Sequence, residues 1–270
     1  MNLLEDVKES AKKLNKRIIL PESTEERTLK AANYVLKEGI AQIVLLGDPD
    51  EIVKVAAEYQ LEHIEKATII DPRNNDKKQH YIDLMVKIRK HKGMTPEEAF
   101  THVENSLCLS PLMIKNGDAD GAVAGAENPT GDVLRPAFRI LKTRPGINIV
   151  SGAFFMTLQD KNFGEDGLLV FADGAVTPSP TEEQLAEIAI STADTTKTIA
   201  GIEPRVAMLS FSTYGSSQHE MAEKVANATN IAREKRPDLK IDGELQADAA
   251  LVDEIGKRKA KGSEIAGKAN

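Results

Sequence analysis

The sequence has 270 residues, 41% hydrophobic and 29% charged, a balance that supports one large or two ordinary buried cores and excludes wholesale disorder. Aromatic residues make up 4% with no Trp, and the net charge is −7, so neither a stacking platform for single strands nor a basic face for DNA or RNA is expected. An anionic substrate must then be held by a local basic cluster inside an acidic molecule.

The N-terminus lacks the basic start and apolar run of a signal peptide, and no stretch approaches the roughly 18 apolar residues of a membrane span. The single cysteine, Cys108, excludes an internal disulfide and fits a reducing compartment, so a cytoplasmic, soluble protein is expected.

Short apolar runs alternate with longer amphipathic segments. Arg17 to Leu20 reads as a strand, followed by a helix from Ser23 to Leu36 that opens on a capping box of Ser23 with Glu26. Gln42 to Leu46 and Ala67 to Ile70 read as strands around a helix near Asp50 to Glu58. Helices are expected at Tyr81 to Lys90 and Thr95 to His102, then a strand at Asp120 to Ala124 and a helix ending near Lys142. Thr143-Arg-Pro-Gly146 marks a domain boundary. Beyond it, Val150 to Leu158 and Leu168 to Phe171 form a pair of strands, and Thr181 with Gln184 opens a helix to Ile199. Strand Val206 to Leu209, a helix from Ser217 to Arg236, strand Lys240 to Asp242 and a helix near Asp248 to Lys257 complete the pattern. Such alternation predicts parallel sheets with helices on both faces. The closing segment 259–270 has the composition of a connection, which suits either a truncated chain or a natural tail.

Three constellations point to chemistry. In Gly125 to Pro136, proline's missing N–H places Pro136 in the first turn of a helix starting near Thr130 to Asp132, with Arg135 beside it. A strand, a loop and a helix N-terminus there aim free N–H groups at one spot, where a guanidinium can grip phosphate. The same residues also suit an Arg paired with a nearby carboxylate over an ordinary cap. In Ser210 to Ser217, hydroxyls and backbone amides precede a helix, which suits an anion nest or simple capping by Ser216 or Ser217. Arg89-Lys-His-Lys-Gly93 is the densest positive cluster, and cations before a glycine cap are also expected from the helix dipole alone.

The remaining candidates are weaker. The five histidines show no metal-ligand spacing with one another or with Cys108, which reads as a small core residue, and no metal site is expected. Asp242, Glu244 and Asp248 could supply a base or metal ligands, or be solvated loop carboxylates.

Taken together, KRIILPES at 16–23, IRKHKG at 88–93, DGAVAGA at 120–126 and GDVLRPAFRILKTRPG at 131–146 resemble phosphate acetyltransferases. The resemblance continues through LLVFADGAVTPSPTEEQLAEIA at 168–189, VAMLSFSTYGSS at 206–217, IDGELQADAALV and GSEIAGKAN, in order and over essentially the whole chain. It implies an α/β fold of two α/β/α three-layer domains with mostly parallel sheets, similar to isocitrate and isopropylmalate dehydrogenases, here spanning 1–143 and 144–270 and truncated at the C-terminus. The implied reaction moves an acetyl group between acetyl phosphate and coenzyme A. These two and phosphate are its substrates, with no cofactor and without a covalent enzyme intermediate; a homodimer is implied as well.

By the same resemblance Arg89 and Arg135 handle the phosphate, while Thr130, Ser212, Thr213, Gly215 and Ser216 contact substrate. Members often carry His followed by Ser or Thr where this chain has Glu127 to Thr130. They also continue past AGKAN into a strand, an Asn-Asp-Leu-Ser-Arg-Gly stretch and an Asp that handle the thiol; this sequence has no Ser-Arg dipeptide. A non-catalytic fragment or pseudoenzyme, and a phosphate butyryltransferase, are the alternatives; a dehydrogenase is disfavoured because no nicotinamide loop is present.

Overall fold

A computed structural model describes residues 2–270, which divide into two compact units, 2–142 and 143–270. Among the described residues no helix is long and apolar enough to cross a membrane.

The first unit is built on β1 (Arg17–Leu20), β2 (Gln42–Leu46), β3 (Thr68–Ile70) and β4 (Gly121–Ala122), all parallel in the order β3-β2-β1-β4. Alternate side chains leave a strand on opposite faces, so each strand feeds two cores. Ile19, Val44 and Leu46 pack with Tyr81, Met85, Leu109 and Leu112. Leu20, Ile43 and Leu45 pack with Leu29, Ala32, Ile52 and Ala56. Helices α2 (Glu26–Glu38) and α3 (Pro49–Glu58) therefore cover one face. Helices α4 (Lys78–Arg89), α5 (Pro96–Val103), α6 (Ser106–Asn116) and α7 (Thr130–Ile140) supply the other. Each fully buried Leu or Ile contributes about 2 kcal/mol relative to exposure.

The expected elements recur with local corrections. Ser23 does not cap α2: it is buried, and its hydroxyl donates to Leu46 O at 2.6 Å, tying β1 to β2. The cap is Glu25, whose carboxylate accepts from Thr28 N at 2.8 Å. Thr95 opens α5 as expected, and the structure adds that it does so in a complete capping box with Glu98. Two helices escape the sequence reading: the N-terminal α1 (Leu3–Leu14) and α6. Leu109 to Met113 in α6 are buried all round, so the helix lacks the polar face that makes periodicity visible.

The second unit pairs β5 (Ala153–Thr157) with β6 (Leu168–Ala172) antiparallel, and β7 (Arg205–Leu209) with β8 (Lys240–Leu245) parallel. Helices α8 (Glu182–Ala200) and α9 (Glu220–Lys235) meet through Ala186, Ala189, Ala228 and Ala232, whose small side chains permit close approach over Met208 and Ile241. The single helix expected near residues 248–257 is two, α10 (Ala247–Leu251) and α11 (Asp253–Lys259), broken at the extended Val252. The Thr181–Gln184 capping box opens α8 with both of its hydrogen bonds. Thr181→Ala should cost about 1 kcal/mol in urea unfolding; an unchanged midpoint would show that the box contributes nothing.

Candidate active site

At the C-terminal ends of β1 and β4, two chain segments distant in sequence meet. Glu22, 6% exposed, lies just after β1, and the loop 125–128 lies just after β4. Because these parallel strands are neighbours, the segments leaving their ends are brought side by side. The Glu22 carboxylate accepts backbone N–H bonds from Gly125 at 2.7 Å, Ala126 at 2.8 Å, Glu127 at 3.0 Å and Asn128 at 2.8 Å, plus Asn128 Nδ2 at 2.8 Å. Burial by itself would raise its pKa, but these donors outweigh burial and hold it at about 2. The amides read from sequence as open to an incoming anion are thus already turned onto an internal one. The loop is further pinned by Arg27, which donates to Ala126 O at 2.5 Å.

Helix α7 begins immediately after this loop. Its N-cap, Pro129, offers no side chain to the first amides, so the opening turn at Thr130 and Gly131 lacks a side-chain cap. The helix starts where the sequence reading put it, but Pro136 is not in the first turn; it lies inside the helix with its ring buried. Arg135 correspondingly sits in the second turn. Helical side chains lean toward the N-terminus, which brings its guanidinium over Gly131 and onto Asp132 Oδ1 at 3.0 Å. Its side chain stays 59% exposed.

Arg89 ends α4, just before a 3-10 turn of Lys90–Lys92 and Gly93, whose φ of 76° closes the helix in the left-handed region that glycine tolerates. The residue is half-buried, and its Nε is sealed from solvent without a hydrogen-bond partner among the described residues. Helices α4 and α7 touch one another, so the two arginines are carried by neighbouring elements of one unit. Glu127 is exposed and no ion pair involves it among the described residues.

The second unit repeats the device. Ser212 and Thr213 are buried after β7, and Glu244, 5% exposed, lies in neighbouring β8. Glu244 accepts from Ser212 Oγ at 2.9 Å and Gly215 N at 2.7 Å. Consecutive left-handed residues, Tyr214 at φ 48° and Gly215 at φ 75°, form the turn that presents this amide. Thr213 Oγ1 accepts from Gln246 N at 2.9 Å, and Ser216 Oγ from Thr213 N at 3.1 Å. Neither Ser216 nor Ser217 caps the next helix; His219 does, its Nδ1 accepting from Met221 N at 3.1 Å. Gly215, Ser217, His219 and Glu244 line a cleft with the first turn of α9, and Gly215 and Ser216 remain exposed.

The carboxylates at 242–248 are not a solvated loop. Asp242, 4% exposed, is a strand residue bonded by Tyr214 Oη at 2.5 Å, Gly243 N at 2.8 Å, the Ser263 hydroxyl and the Arg233 guanidinium. Burial works against its charge, yet these donors keep its pKa below the usual range. Asp248 pairs with Lys259 at 2.8 Å. No group of three or more His, Cys, Asp or Glu among the described residues could hold a metal ion. Cys108 lies within α6 with Sγ 3.8 Å from His102 Nδ1, and burial raises its pKa against a small opposing effect of Arg139, the reverse of an activated thiol.

Comparisons with known proteins agree along the chain. The family model described as phosphate acetyl/butaryl transferase matches residues 2–270. A phosphate acetyltransferase of Thermoanaerobacterium thermosaccharolyticum is 51% identical over 270 residues, 100% of this chain and 81% of the relative. One from Clostridium acetobutylicum is 49% identical over the same span, again 81% of its length. Among solved structures, a phosphotransacetylase from Streptococcus pyogenes superposes with a TM-score of 0.92 at 38% identity, covering 99% of this chain and 79% of that one. With a family model spanning both units and relatives at half identity, the chain belongs to the phosphate acetyl/butaryl transferase family.

Proposed function

We propose that this protein transfers an acetyl group between acetyl phosphate and coenzyme A, using the two arginines of the first unit to hold the phosphate. The function rests on the 51% identity to a phosphate acetyltransferase across the whole chain. The residue assignment rests on one observation: Arg89 carries a sealed guanidinium N–H with no acceptor among the described residues. Buried donors are nearly always paired, so an unpaired one marks a place for an absent acceptor. Arg135 supplies the second grip. Its exposed pairing with Asp132 is of a kind that contributes little to stability and is readily exchanged for a dianion.

In the forward direction the CoA thiolate attacks the acetyl carbonyl carbon, a C–S bond forms, and the bond from that carbon to the phosphate oxygen breaks. The electron pair leaves on phosphate, and the guanidinium groups stabilise its growing charge. The thiol proton must be taken up before attack, since a thiol of pKa near 8.5 is mostly protonated at neutral pH. Thr130, at the uncapped start of α7, adds a hydroxyl to the phosphate site. In the second unit the exposed Gly215 and Ser216 meet substrate directly. Ser212 and Thr213, buried on Glu244 and Gln246, set the shape of their loop. We also read the protein as a cytoplasmic homodimer that takes no cofactor.

The test is thioester formation by the protein given acetyl phosphate and CoA, with butyryl phosphate alongside. Equimolar acetyl-CoA and phosphate, formed faster than the butyryl thioester, are expected. No thioester from either donor would overturn the assignment, and a butyryl preference would move the acyl specificity to the other branch of the family.

A further inference from the structure

The opening turns of α7 carry Arg135 but have little of their own to hold them in place. From Pro129 to Arg135 no residue is buried; the helix sinks side chains into the core only at Pro136 and Ile140, beyond the arginine. Helix ends fray, and segments with few buried apolar contacts open first. What fixes this end is the chain that enters it.

Four consecutive amides converge there on one carboxylate. Glu22 Oε2 accepts from Gly125 and Ala126, and Oε1 from Glu127, Asn128 and the Asn128 side chain. Gly125 enters at φ 108°, a conformation that L side chains avoid, so the bend toward Glu22 depends on glycine. The residue after the last pinned amide is Pro129, the N-cap of α7. Proline locks its own φ, here −61°, and restricts the residue before it. Little freedom therefore separates the grip of Glu22 from the first turn of the helix. Arg135 follows at about 1.5 Å of rise per residue and leans back over Gly131.

Resting on the assignment of Arg135 to phosphate, we propose that Glu22 is the positioning residue of the phosphate site: by gathering the amides of 125–128 onto one buried carboxylate, it fixes where α7 begins and so where the Arg135 guanidinium sits. Glu22 is 6% exposed and both of its oxygens are spent on the loop, so it acts on the arginine through the chain and not by touching substrate. A shift of about 1 Å in a positioning group can cost on the order of a hundredfold. Coupling is reciprocal, so bound phosphate must tighten the Glu22 bonds by the same factor that those bonds raise its affinity.

Glu22→Ala removes a methylene and the carboxylate, leaving the loop amides around a space that formate can refill. Titration of inorganic phosphate by calorimetry should give the folded variant an affinity at least tenfold weaker than that of the unaltered chain. Saturating formate should recover most of the loss, and neutral formamide, of the same size, should not. The unaltered chain should gain nothing from formate, because its own carboxylate is in place. Undiminished affinity in the folded variant, or equal rescue by formamide, would reduce Glu22 to a purely structural role and overturn the proposal. Hydrogen exchange on the unaltered chain tests it even if the variant does not fold. Saturating phosphate should slow the amides of 125–128 more than those of β2, and equal slowing would overturn it. Phosphate that failed to bind the unaltered chain would instead remove the arginine assignment, and the role of Glu22 with it.

Discussion

Arg135→Ala should lower kcat/KM for acetyl phosphate at least tenfold while leaving thermal stability almost unchanged. The two expectations come from the same geometry. The side chain is 59% exposed and its partner, Asp132, lies three residues away on the same helix, so the folded state loses little when it is removed. A bound phosphate would lose far more. Hydrogen bonds to charged groups are worth about 1.5–3 kcal/mol each, and about 1.36 kcal/mol is a factor of ten in rate. Arg135→Lys should recover part of the loss, because an ammonium restores charge but not the two-pronged geometry. Arg89→Ala should lose activity to a similar extent. Wild-type kinetics in either alanine variant would remove that residue from the mechanism.

Glu22→Gln should act on stability first, with a loss of about 3 kcal/mol at pH 7. The carboxylate sits at about 2 in the fold against roughly 4.3 in an unfolded chain, and each unit is worth about 1.36 kcal/mol. The direction of the shift sets the sign. A lowered folded pKa gives stability that is fully present above about 4.3 and is lost as pH falls toward 2. The gap between wild type and Glu22→Gln should therefore be largest near neutrality and close between pH 5 and 2, measured by urea unfolding across that range. The amide would also turn N–H groups toward the loop amides of 125–128, leaving donors facing donors. A variant as stable as wild type at pH 7, with the same pH profile, would show that the ring of hydrogen bonds contributes nothing net.

How far the sequence revealed this arrangement depends on the range of each interaction. The capping box at Thr181 spans three residues and could be read directly, as could the helix start at Thr95. The parallel strands β1 and β2 announced themselves as apolar runs, as strands covered on both faces do. Helix α6 stayed hidden because a helix buried on all sides has no amphipathic period. The largest omission was the identity of the anion inside each loop. Glu22 and Gly125 are separated by 103 residues, and Ser212 and Glu244 by 32.

A signal was nevertheless present. In both units a carboxylate and a loop rich in small or hydroxylic residues sit at the C-terminal ends of strands that turn out to be parallel neighbours. Segments there are forced together by the topology. Pro136 misled for the opposite reason: local chemistry favours proline in a first turn, yet here its buried ring packs inside α7. That shift moved Arg135 from the opening turn to the second without moving the helix start.

At the centre stands the capture of a phosphate dianion by Arg89 and Arg135 within the first unit of an acidic chain. Calorimetric titration of inorganic phosphate into this 270-residue protein measures that directly, because binding does not require turnover. One phosphate per chain is expected, with affinity reduced at least tenfold in Arg89→Ala and in Arg135→Ala. Phosphate that failed to bind the unaltered protein, or bound all three forms equally, would contradict it.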